Sequence, residues 1–84
     1  MPVLARFYGI IIRMYLLQRE HNPPHIHALY GDDTASIDIR TGELTDGHLP
    51  PKALSMVREW IELYRDELLT MWDTQEFISL PPLQ

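Results

Sequence analysis

The sequence predicts an α+β fold: a small antiparallel β-sheet of three to four strands, arranged as a meander and covered on one face by a long C-terminal α-helix. Three observations predict it. Before residue 40 the chain is dense in β-branched and aromatic residues whose polar and apolar side chains alternate with a period of two. After Pro51 apolar residues recur at helical spacing. Gly31-Asp32-Asp33 and Thr41-Gly42-Glu43 supply the tight turns that a meander needs.

The first strand predicted is residues 7–17, a central strand with Ile10, Ile12, Met14 and Leu16 on one face and Ile11, Arg13, Tyr15 and Leu17 on the other. Gly9 bends its start and sets residues 3–8 apart as an arm or short strand. A loop over residues 19–24 ends the pairing, and its two prolines make it stiff, because they lack backbone donors and hold the preceding residue extended. Residues 25–30 and 34–40 form a hairpin. A two-residue loop there puts Ile26, Ala28 and Tyr30 on one face with Ala35, Ile37 and Ile39, and His25 and His27 on the other with Ser36, Asp38 and Arg40. A three-residue loop would bury both histidines among isoleucines without partners, so the two-residue reading is preferred.

Residues 44–47 return as a short edge strand. Leu49-Pro50-Pro51 then opens a helix, since proline suits the first helical turn, and the helix is expected to run to about Trp72. Ala53, Val57, Trp60, Ile61, Tyr64, Leu68, Met71 and Trp72 make its apolar face, which docks on the sheet. The tail, residues 77–83, is apolar but too rich in proline for a helix; it packs back in extended form or reaches a neighbouring chain.

At 84 residues the chain makes one small domain, residues 1–84, too short for two independent cores. With no cysteine there is no disulfide, no thiolate nucleophile and no cysteine-based metal site. No apolar run approaches a membrane span and no signal peptide is recognisable, so a cytoplasmic protein is expected. Basic and acidic residues balance over residues 1–40, and the whole net charge of −5 arises from the remainder. That acidic half disfavours broad nucleic-acid binding and suits a basic protein partner.

The chemistry concentrates in His21-Asn22-Pro23-Pro24-His25-Ile26-His27, which holds three of the four histidines. His25 and His27 leave one face of a strand, close enough to converge on a divalent metal such as zinc or manganese, with Asp38 or Asp33 as ligand or orienter. His21 joins them only if the loop folds back. The alternative is a hydrogen-bonded loop with no metal. Arg13 and Arg40 either form an anion site beside the histidines or pair with Asp38, Glu20 or Glu43. Paired histidines on a strand also hold the metal of single-strand endonucleases that use a helical tyrosine, but Tyr64 lies on the apolar helix face and reads as core. No phosphate-binding glycine loop and no nucleophile elbow is present.

Ala5-Arg6-Phe7-Tyr8-Gly9-Ile10, the histidine stretch with its Asn22-Pro23-Pro24-His25, Ile37-Asp38-Ile39-Arg40-Thr41-Gly42-Glu43, Leu49-Pro50 and Glu59-Trp60 together resemble the small prokaryotic family called domain of unknown function 4160. The resemblance brings no established reaction. It implies a small protein often encoded beside another short protein, in an arrangement similar to toxin–antitoxin pairs. Two functions therefore stand as expectations. One is an interaction protein that binds a small protein partner from a neighbouring gene, or itself as a dimer, through the histidine loop. The other is a metal-dependent hydrolase or nuclease with His25 and His27 as ligands and Asp38 or His21 positioning water.

Overall fold

The structure, a computed structural model, describes residues 3–14 and 23–84. Five strands form one antiparallel meander in which every strand pairs with its sequence neighbours: β1 (Val3–Phe7), β2 (Ile10–Arg13), β3 (His25–Tyr30), β4 (Asp33–Asp38) and β5 (Leu44–Gly47). A single helix follows, α1 (Pro51–Thr74). The fold is thus the expected α+β meander with one strand more than three to four.

The extra strand comes from the chain start. Phe7 pairs with Ile10, so Tyr8 and Gly9 form a two-residue hairpin loop with φ of 50° and 81°. This is a full reversal of the chain where a bend was expected, and it moves Phe7 out of the central strand into the edge strand β1. Expected residues 15–17 of that strand, together with His21 and Asn22, lie outside the described residues.

Strands β3 and β4 pair Tyr30 with Asp33, Ala28 with Ala35 and Ile26 with Ile37, so the loop is the two residues Gly31-Asp32, with Gly31 at φ 60°. Glycine in the first central position is what this hairpin geometry requires. The parity is the expected one. Ile10, Ile12, Ile26, Ala28, Ala35 and Ile37 are buried on one face, against Ala53, Val57, Trp60, Ile61 and Leu68 of α1. β4 stops at Asp38, two residues short of expectation, because the chain turns there: Asp38 N–H donates to Glu43 O, and Gly42 N–H to Asp38 O.

The helix forms on schedule after Pro50 and is interrupted at Tyr64 (φ −122°, ψ 22°), whose ring lies 5.6 Å from that of Trp60. It ends at Gln75, which takes the left-handed conformation (φ 61°) and donates its N–H to Met71 O. Two helix arginines point at the sheet: Arg58 Nε donates to Gly42 O at 2.6 Å and Arg65 Nε to Ile39 O at 2.9 Å. They satisfy carbonyls in the turn after β4 and tie the helix to it. The tail packs back in extended form. Leu80 N–H donates to Leu4 O, Trp60 Nε1–H donates to Pro81 O at 2.9 Å, and Leu83 is buried. Among the described residues no helix is long and apolar enough to cross a membrane.

Candidate functional site

Because α1 occupies one face of the sheet, the side chains that alternate away from it make a second face. One transverse row crosses all five strands there: Val3, Arg13, His27, Ser36 and Asp46 are successive cross-strand partners. Beside it, Arg6, Ile11, Leu29 and Thr34 form a second row.

Asp46 reaches this face through a β-bulge. Ser36 pairs with Asp46 but the next residue, Ile37, pairs with Leu44, so Thr45 is the additional residue of β5. Strict alternation would place Leu44 and Asp46 on the same side. With the bulge, Leu44 packs against the core while Asp46 stands opposite Ser36. The Thr45 hydroxyl donates to Ser36 O at 3.2 Å and holds the distortion in place. This carboxylate is the site residue that alternation alone does not find; a bulge leaves no mark in apolar spacing.

His27 lies mid-strand. Its Nδ1 is 3.4 Å from Ser36 Oγ. Burial first, then the neighbouring His25, hold its pKa below the usual 6.5, while Asp46 pulls the other way. The ring is therefore held neutral at neutral pH, with one nitrogen a donor and the other an acceptor. His25 sits at the first position of β3, with its ring 5.0 Å from that of His27 and 5.0 Å from the indole of Trp72. It donates Nδ1–H to Pro23 O at 2.9 Å. A carbonyl can only accept, so this bond assigns the proton to Nδ1 and leaves the lone pair on Nε2. A depression of about 290 Å³ opens between Pro23, His25, Ser36, Thr45 and Asp46.

The other expected site residues separate. Arg13 does join the row, beside His27, and its Nε is buried without a hydrogen-bond partner among the described residues. Asp38 is the register partner of His25 but its carboxylate is engaged elsewhere: Oδ1 accepts the backbone N–H of Arg40 at 2.7 Å and of Thr41 at 3.1 Å. Its work is to close a turn. Arg40 lies in that turn, past the end of β4, and is exposed. Among the described residues neither arginine forms an ion pair with Asp38 or Glu43. Tyr64 packs on Trp60, as core. Among the described residues no group of three histidine, aspartate or glutamate side chains is arranged to hold a metal ion.

Fold and site define a class: small α+β proteins whose meander sheet is covered on one side by a helix and carries histidines on the other. A model of one family matches residues 9–73, most of the chain, and the chain belongs to that family, described as Domain of unknown function (DUF4160). No curated protein and no solved structure matches it.

Proposed function

We propose that the chain is a small cytoplasmic interaction protein, one component of a toxin–antitoxin-like pair, and that it holds its protein partner with the histidine face of the sheet. The observation that carries this reading is the transverse row Arg13, His27, Ser36 and Asp46, on the face away from α1. A row of this kind offers a cation, a neutral imidazole, a hydroxyl and a carboxylate in fixed order, flanked by the half-buried Ile11 and Leu29. Directional polar groups around partly exposed apolar side chains are what a specific protein interface uses. The test is co-expression with the product of the adjacent gene. Retention of that protein through purification, lost in Arg13→Ala and Asp46→Ala but kept in the helix variant Glu62→Lys, supports the reading. A strictly monomeric chain that retains nothing counts against it.

A second reading follows from one hydrogen bond. His25 Nδ1–H on Pro23 O leaves Nε2 available as a ligand, the tautomer that metal-binding histidines are usually given by a backbone carbonyl. His25 and His27 would supply two ligands to a divalent metal, with His21 or a partner's side chain as the third, in a metal-dependent hydrolase or nuclease. Untagged protein that holds no stoichiometric metal, and gains no thermal stability from added zinc or manganese, would sink this reading.

A further inference from the structure

A second concentration of side chains lies at the opposite end of β3 from His25. The β1–β2 loop, Tyr8-Gly9, has both residues at positive φ, 50° and 81°. Such a loop is made at little cost by Asn-Gly or Asp-Gly. A tyrosine there is strained, because its Cβ crowds the backbone in the left-handed region. The fold does not recover that cost by burying the ring: Tyr8 is 61% exposed, and its ring contact is an edge-on one with Phe7 at 6.4 Å. Backbone strain spent on displaying a side chain is a pointer to binding.

Tyr30 stands beside it. Its ring lies over Gly9 so closely that a Cβ on residue 9 would meet Tyr30 Cε1 at 3.4 Å. Tyr8 and Tyr30 together line a cleft of about 520 Å³, whose other walls include Met56 and Leu83, with Lys52 and Glu59 also lining it. Lys52 is the second residue of α1, and the helix begins without a side-chain cap and without an acidic residue in its first turn. Its positive end is therefore uncompensated at the Lys52 side of the cleft. Glu59 is seven residues further on, roughly 10 Å along the helix axis. The cleft is thus apolar and aromatic in its walls and positive at one end, negative at the other.

We propose that this cleft binds a small planar aromatic molecule carrying one anionic group. The ring seats against Tyr8 and Tyr30 and over the Met56 thioether, contacts that favour a flat π-system. The anionic group lies at Lys52, and Glu59 repels it from the far end, which sets one orientation of the ligand. This site is distinct from the histidine face, and nothing in it depends on a protein partner.

The test uses naphthoate, naphthyl phosphate and naphthylmethylamine as probes, with binding followed by NMR on the full chain. Saturable shifts at Tyr8, Tyr30, Lys52 and Met56 are expected for the two anions, and the tighter of the two shows whether carboxylate or phosphate is preferred. The amine, with the same ring and the opposite charge, is expected to bind about tenfold more weakly. Lys52→Glu should remove that preference. Tyr8→Asn should raise the melting temperature, because asparagine tolerates positive φ, and lower naphthoate affinity by about tenfold. Absence of saturable shifts, equal affinity for amine and carboxylate, or unchanged naphthoate affinity in Tyr8→Asn would each overturn the proposal.

Discussion

The imidazole of His25 stands 5.0 Å from the indole of Trp72, tilted by 55°, so the first residue of β3 touches the last turn of α1. The histidine pair is thereby braced from the core side as well as along its own strand. Trp72 is 7% exposed, and Trp72→Ala should cost about 3–5 kcal/mol, as for other large aromatic truncations. Urea unfolding measures the loss. Trp72→Phe, which keeps a ring against His25, should cost distinctly less and leave the His25 ring resonances nearer their original positions.

Acid should weaken the fold through His27. Its folded pKa is held below 6.5 by burial and by His25, against the pull of Asp46. The unfolded chain therefore takes up a proton at pH values where the folded chain does not, and stability falls as pH drops through 6.5 toward the lowered folded value. Above that window this contribution is constant. Urea midpoints measured across the range should show the decline in the parent chain and a flatter profile in His27→Asn. Asp46→Asn removes the opposing influence and should steepen the decline.

Asp38 and Asp46 should part company under mutation. Asp38→Ala removes the acceptor for two backbone N–H groups and is expected to cost about 1–2 kcal/mol, with little effect on the titration of His27. Asp46→Ala, at an exposed position, should change stability little and shift the His27 titration downward. Chemical denaturation and a histidine NMR titration separate the two.

The end of β5 tolerates no side chain at residue 47. Gly47 has φ 80°, and a Cβ there would overlap the Thr34 carbonyl oxygen. Gly47→Ala should cost more than about 2 kcal/mol, since strain and a backbone clash add. Hydrogen exchange would show the damage first at the His48 amide, which donates to Thr34 O.

Trp60→Phe keeps most of the buried volume but loses the indole donor to Pro81 O. A loss of about 1–2 kcal/mol is expected. Limited proteolysis should then cut the tail sooner than in the parent chain, and the Leu80 amide, bonded to Leu4 O, should exchange faster.

Much of this architecture is legible in the sequence, where local rules act alone. The Gly31-Asp32 loop sets the parity of β3 and β4, and that parity puts His25 and His27 on the face opposite Ile26 and Ile37. The helix face was legible from spacing, since Ala53, Val57, Trp60, Ile61, Leu68, Met71 and Trp72 are all buried. What escaped depends on exceptions to local preference. Tyr8 occupies a turn position that sequence rules give to asparagine or glycine, so the β1–β2 hairpin reads as a bend. Thr45 adds a residue to β5 and reverses the side on which Asp46 falls, so alternation points to Asp38 as the carboxylate beside the histidines and passes over Asp46, which the bulge brings opposite Ser36. Both misses lie where a backbone irregularity redirects a side chain, and neither leaves a periodic signal.

The meander has a consequence for how the chain acquires its shape. Each strand pairs with the next, so the sheet can zip up through short hairpin closures, a route that makes for quick folding. The hydrogen bond from Leu80 to Leu4 obeys a different logic, because its two partners lie far apart in the sequence. Closing so long a loop carries a larger entropic penalty and requires that β1 and α1 already be in place. During synthesis on the ribosome this latch can form only after Leu80 has emerged, so a nascent chain would hold the paired sheet with the outer edge of β1 still uncovered.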